Sequence, residues 1–312
     1  MTDDHPLAAL PIREKEPRSR RVLLTWLDHA ARAQNVAPKR LNRLVANSIV
    51  LAVLQSALHD DRRCAFLVKG GTQIELRLGL RARASADLDT LFRGDFASVL
   101  ASLDRALAAG WGPFSFTRSE PEVINVPSRL VKPERMDIAI RLRGETVLSV
   151  QLEVAADEGG AGDAVDMVRV PPLGHFGLAT PEEAAALALE YQVAQKLHAC
   201  TDPHTDEMPN DRVHDVVDLM LVRAAYYAGG SPMELRAACV AIFDARFAEA
   251  AAAGVVPRPW PPTVVAHPHW AGPFDRLATE VGLDASFVVA IAEVNTWIDE
   301  IDAAPAVPED GV

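Results

Sequence analysis

Two carboxylates one residue apart, Asp87 and Asp89, follow a Lys69-Gly70-Gly71-Thr72 turn after about one helix's worth of chain. On a strand, residues i and i+2 point to the same face, so both side chains can hold one cation. A glycine turn that enters a helix presents backbone N–H groups and the positive end of the helix dipole to an anion. Carboxylates beside a phosphate cradle are what metal-assisted transfer of a nucleotide requires. Neither half is specific alone. Most Gly-Gly pairs are plain turns, Asp-x-Asp is common at solvated strand ends, and the spaced dinucleotide and P-loop patterns are missing. The order carries the signal: the apolar run Cys64–Val68, the turn, a helix, then Arg83-Ala-Ser85-Ala-Asp87-Leu-Asp89.

Holding two metal ions needs a third carboxylate. Glu153 ends the apolar alternation of 147–154 and is the candidate, and Asp137 on the preceding strand is its competitor. Further along, Gln192 and Lys196 share a helix face, as do Asp211, Asp215 and Asp218 on the next. Lys196 is the only lysine after Lys132. It is suited to meeting triphosphate oxygens as a point charge, balanced by Asp215 or Asp218; an interhelical salt bridge is the bland alternative. His198, Cys200, His204 and His214 lack the spacing of a structural zinc site, and no nucleophile elbow supports a serine hydrolase.

The elements that must position these groups are legible in outline. Residues 1–19 are charged and contain three prolines, which predicts a mobile arm. Periodicity predicts helices over 20–34 and 38–59, a strand over 64–68, a helix over 72–80 and the acidic strand 88–92. A helix over 95–109 follows, then strands at 114–117, 135–142, 146–154 and 167–170. Thr180-Pro181-Glu182-Glu183 reads as a capping box opening an almost wholly helical remainder, with helices at 181–200, 211–228, 232–252 and 284–302 and a proline-rich stretch interrupting the last two. The division expected is a mobile arm (1–19), a core with its N-terminal helices (20–175) and a helical C-terminal domain (176–312).

The 312 residues carry a formal net charge of −12, which by itself speaks against a nucleic-acid partner. The distribution is uneven. Residues 1–145 hold 23 Lys/Arg against 17 Asp/Glu, whereas 146–312 hold 8 against 26. That asymmetry points to a polyanion partner for the first half, or to an acidic second half that keeps the chain soluble. Three scattered cysteines, no secretory signal and no apolar run of membrane-spanning length predict a cytoplasmic protein with no membrane partner.

Taken in order, Lys69-Gly-Gly-Thr72, Arg83-x-Ser85-x-Asp87-Leu-Asp89, the Glu153 strand, Gln195-Lys196-Leu-His-Ala199 and Arg212-x-x-Asp215-x-x-Asp218 resemble the AbiEii-type nucleotidyltransferase toxins, among them the MenT-type toxins. The resemblance spans roughly residues 45–225. It implies an α+β fold, a polymerase-beta-like nucleotidyltransferase core with a mixed sheet plus a helical C-terminal lobe. It implies a toxin–antitoxin or phage-defence role, with a nucleoside triphosphate (NTP) as substrate, Mg2+ (two ions) as cofactor, the 3′ end of tRNA as acceptor and a cognate antitoxin as partner. By that likeness Asp87, Asp89 and Glu153 hold the metals, Asp87, Asp89, Lys196 and Asp218 serve the chemistry, and Lys69, Gly70, Gly71, Thr72, Arg83, Ser85, Lys196 and Asp215 bind the nucleotide. Transfer to a protein hydroxyl, or nucleotide binding without turnover, are the alternative activities.

Overall fold

The computed structural model describes residues 5–59, 62–205, 209–228 and 232–306. Two helices lead, α1 (Arg20–Ala33) and α2 (Pro38–Leu54), the second with proline in its first turn, where no N–H is needed. β1 (Phe66–Val68), α3 (Gly70–Leu78), β2 (Leu88–Phe92) and α4 (Phe96–Ala109) follow. The Asp95 carboxylate accepts the Ser98 N–H at the start of α4, and Gly110 ends that helix with a φ of +73°. Next come β3 (Phe114–Arg118), the short β4 (Glu122–Val123), β5 (Glu134–Leu142), β6 (Glu145–Ala156), β7 (Val165–Arg169) and β8 (Glu183–Leu187). Helices complete the chain: α5 (Leu189–Cys200), α6 (Val213–Tyr226), α7 (Met233–Ala252), α8 (Ala271–Val281) and α9 (Phe287–Asp302).

The strands form one mixed sheet in the order β3-β5-β6-β2-β1-β8-β7, with β4 added to β5. β2 runs parallel to β6 and β1 parallel to β8, and the other pairs are antiparallel. Alternation divides its side chains between two cores. Phe66, Val68, Leu88, Phe92, Ala184 and Ala186 pack with α1, α2 and α4. Leu67, Leu91, Ala185 and Leu187, on the other face, pack with the C-terminal helices. Asp89, two residues before Leu91, faces that second side. On the outer strands β5 and β6, residues such as Met136, Ile138, Leu152 and Val154 feed the first core, which leaves Glu153 and Asp137 on the opposite face.

Three expectations are corrected. Residues 181–200 are not one helix: Glu183–Leu187 form a strand between β1 and β7, and only Leu189–Cys200 is helical. Thr180 caps no helix, and its hydroxyl accepts the Leu173 N–H at 3.3 Å. Alanine favours helix, but Ala184–Leu187 is apolar on both faces and fills a slot buried on both sides, so tertiary burial overrides propensity. The sheet therefore takes in residues beyond 175. Residues 5–19, read as part of a mobile arm, pack against the rest of the fold. Leu7 is 3% exposed, the Arg13 N–H donates to Gly174 O, and the Arg13 guanidinium lies 4.3 Å from the centre of the Trp26 ring. The proline-rich stretch between α7 and α9 holds a further helix, α8, whose Phe274 is fully buried.

Candidate active site

Pairing places the chemistry in one transverse row. Leu88 to Phe92 of β2 lie opposite Leu152 to Ala156 of β6, which puts Asp89 beside Glu153. Glu153 in turn lies opposite Arg135 of β5. The β1–β2 pairing continues one step past Val68: the Lys69 N–H donates to Asp89 O at 2.9 Å. Directly paired residues share a face, so Lys69, Asp89, Glu153 and Arg135 form a row of alternating flank and centre, positive outside and negative inside. Asp137 pairs with Gln151, one step off this row, and is exposed. Register thus favours Glu153 over Asp137 as the companion of Asp89.

Asp87 sits in the bend just before β2. Its carbonyl accepts both the Thr72 hydroxyl at 2.7 Å and the Ser85 hydroxyl at 3.0 Å, which fixes the chain as it enters the acidic strand. Thr72 is 3% exposed and also accepts from Asn47 Nδ2. Its hydroxyl and that of Ser85 are therefore braces for the acidic strand. Gly71 is required by close approach: a Cβ there would lie 2.9 Å from both Arg83 Nη2 and Ser85 Oγ. At Gly70 a Cβ would overlap the Asp89 carboxylate, and its φ of +68° suits glycine. A Gly71→Ala variant should lose about 1–3 kcal/mol of stability through overpacking, read by urea unfolding; an unchanged midpoint would show that Arg83 and Ser85 give way freely.

The row is electrostatically loaded. Burial raises the Asp89 carboxyl above the usual carboxylate range, Asp87 and Asp215 add to the effect, and Lys69 and Lys196 oppose it. Burial also raises Glu153, with Asp89 and then Asp87 reinforcing it. Burial lowers the Lys69 ammonium, against the pull of Glu158 and Asp89. Among the described residues no three His, Cys, Asp or Glu side chains converge into a closed cation cage. The donor set nonetheless suits a hard divalent cation: all carboxylate oxygens, two adjacent in register, each holding its charge at a cost that a cation would relieve.

The helical half closes over the row through a buried ion cluster. Lys196 Nζ on α5 reaches Asp215 Oδ1 at 2.5 Å and Asp218 Oδ2 at 2.8 Å, both on α6. Arg83, from the loop before β2, clasps Asp218 through Nε at 3.1 Å and Nη2 at 2.8 Å. Asp218 is 0% exposed. Burial disfavours the Lys196 ammonium, but Asp215 and Asp218 outweigh it and hold the group protonated. The same balance, burial overcome by Lys196, His214 and Arg212, keeps the Asp215 carboxyl well below the usual carboxylate range. Lys196 is thus committed to two carboxylates at the cleft wall.

Between sheet and helices lies a cleft of about 680 Å³, lined by Lys69, Asp89, Glu153, Gln192, Lys196 and Arg246, among others, but not by Asp87. Sequence reasoning passed over its second charged hub. Glu158, which the sequence shows only as the start of a glycine-rich loop, is buried and accepts from Arg129 (2.7 Å), Gln195 (2.8 Å) and Arg246 (2.8 and 3.0 Å). Those partners come from three separate walls of the cleft. His198, a neighbour of Lys196 in the sequence motif, is pushed down to about 2 by burial and by Arg246 and Arg258, which both contact its ring. No local pattern signals these contacts, because each joins residues 29 or more apart.

Residues 52–287 match the family described as nucleotidyl transferase AbiEii toxin, type IV toxin–antitoxin system. Among solved structures the chain resembles MenT4, a nucleotidyltransferase toxin from Mycobacterium tuberculosis, with a TM-score of 0.50 and 15% identity over 91% of this chain and 97% of that one. That likeness is one of fold. An antigenic nucleotidyltransferase-like protein from Paracoccidioides brasiliensis matches at a TM-score of 0.34 and 13% identity, over 69% of this chain and 94% of that one. Curated proteins yield no significant match.

Proposed function

The chain belongs to the AbiEii nucleotidyltransferase toxin family of type IV toxin–antitoxin systems, and from that premise we propose that it transfers a nucleotide from an NTP to the 3′ end of tRNA and so blocks translation. The observation that carries this reading is the row Lys69–Asp89–Glu153, facing a cleft whose far wall is the Lys196 cluster. A mixed sheet that presents two register-paired carboxylates beside a glycine turn and a lysine supports a nucleotide whose reacting phosphate lies over Asp89. Asp87, Asp89 and Glu153 would hold two Mg2+ ions, which supply Lewis acidity to the reacting phosphate and the attacking hydroxyl. Lys69 lines the cleft beside Asp89 and offers positive charge to the phosphates. Gly70 and Gly71 let the acidic strand approach the start of α3, which keeps phosphates and carboxylates within one site. Arg83, Lys196, Asp215 and Asp218 hold the helical half against the core so that the cleft keeps its shape.

The basic balance of residues 1–145 supports a polyanionic acceptor. Among the described residues no helix is long and apolar enough to cross a membrane, and we place the protein and its cognate antitoxin in the cytoplasm. Incubating the protein with Mg2+, total tRNA and each α-labelled NTP should place label on RNA. Label on protein in a cell extract, with none on RNA, would replace the acceptor by a protein hydroxyl. Growth arrest that survives both Asp87→Ala and Asp89→Ala would replace turnover by sequestration.

A further inference from the structure

Glycine turns bind phosphate through free backbone N–H groups, yet the first donor of this turn is already used. The Gly70 N–H donates to Gln192 Oε1 at 2.7 Å. Gln192 stands on the first full turn of α5, across the cleft from the sheet, and is 2% exposed. Because Gly70 N–H is a donor, the carboxamide orientation is decided: oxygen faces the turn and the NH2 group faces away. That Nε2 has no partner among the described residues, and Gln192 lines the cleft. A buried amide with two unused donors, oriented from behind, lies beside Lys69 and the Asp89 row.

We propose that Gln192 is a phosphate-binding residue of the nucleotide site, its Nε2 donating to the polyphosphate of the incoming NTP in place of the Gly70 N–H that supports it. The inference rests on the nucleotidyltransferase reading and names how that site takes its substrate. The chain relays the donor: Gly70 N–H fixes the carboxamide, and the carboxamide carries the donor outward to where Lys69 adds its charge. Two consequences follow from geometry. The donor now belongs to α5, so binding of phosphate joins the helical half to the core at the glycine turn, in addition to the Lys196 cluster. The binding is also selective for anions, since an NH2 group has nothing to accept with.

The test uses the full-length protein, Mg2+ and α,β-methylene nucleoside triphosphates, which bind without transfer, with affinity read by calorimetry. Gln192→Glu keeps an oxygen for the Gly70 N–H and changes only the atom that faces the cleft. Gln192→Met keeps the length and removes both functions. A hydrogen bond to a charged group is lost in each, so NTP affinity should fall by about ten- to a hundredfold. Gln192→Glu should fall furthest, by anion repulsion, several-fold beyond Gln192→Met. Either variant binding as tightly as the parent overturns the inference and leaves the nucleotidyltransferase reading intact. A parent protein that binds none of the four analogues overturns both. A fall in affinity no greater for Gln192→Glu than for Gln192→Met shows a structural role instead and also overturns the proposal.

Discussion

Asp89→Asn should abolish nucleotide transfer and growth arrest while leaving the fold at least as stable as the parent. The carboxylate lies at the centre of the row, between Lys69 and Glu153, where it meets both the glycine turn and the cleft. Removing a preorganised charge at the reacting centre costs about a hundred- to a thousandfold in rate, and a metal ligand contributes several kcal/mol more of charge stabilisation. Stability moves the other way. The folded Asp89 carboxyl titrates above its unfolded value, chiefly because burial penalises its charge. An acid with a raised folded pKa is stabilised by folding only while protonated, so at neutral pH its ionisation destabilises the fold. Asparagine carries no such charge. Urea unfolding at pH 7 beside a label-transfer assay checks both parts. Retained transfer would remove Asp89 from the chemistry, and a large fall in stability would make it a structural residue.

Lys196→Met should cost about 3–5 kcal/mol of unfolding free energy at pH 7, the penalty of leaving buried carboxylates without their partner. Two such groups are exposed to that penalty, Asp215 and Asp218. Asp218 keeps Arg83, whereas Asp215 loses the cation that does most to hold it ionised. The pH dependence has a definite sign. In the parent, the Asp215 carboxyl is depressed, so its contribution is present above the unfolded carboxylate value and is lost only when pH falls below the usual carboxylate range. In the variant the buried acid titrates above that value and becomes neutral as the pH drops towards 4. The stability gap between parent and variant should therefore narrow from pH 7 to about pH 4. Unfolding curves at the two pH values measure it. A gap that is constant, or absent at pH 7, would mean that solvent reaches the cluster and screens it.

The residues of the candidate site could be proposed from the sequence because their local signals are short-range. An Asp-x-Asp on a strand, a Gly-Gly turn between strand and helix, and a lone lysine on a helical face each express a geometry spanning a few residues. Lys69, Gly70, Asp87, Asp89 and Lys196 could be named as candidates on that basis, and Glu153 from the apolar alternation of its strand, with Asp137 as competitor. Their division of labour was not legible. Thr72 and Ser85 carry hydroxyls of the kind that cradle phosphate, yet both are turned to the Asp87 carbonyl. Lys196 has the charge to meet a triphosphate, yet its Nζ is taken by two aspartates 19 and 22 residues away.

Secondary structure failed where burial outweighs propensity. Ala184–Leu187 belongs to a strand because β1 and β7 flank a slot that only an apolar extended segment can fill, and nothing within the segment announces those neighbours. Glu158 is invisible for a related reason: a lone glutamate before two glycines looks solvated until Arg129, Gln195 and Arg246 arrive from three walls. By itself, the sequence determined which chemical groups this protein brings, the α+β character of their setting and the family to which they point. Only the tertiary structure decided which carboxylates are neighbours, which lysine two aspartates take up and which amide accepts the Gly70 N–H. Donor types are properties of single residues, whereas register, burial and pairing are properties of contacts between distant ones.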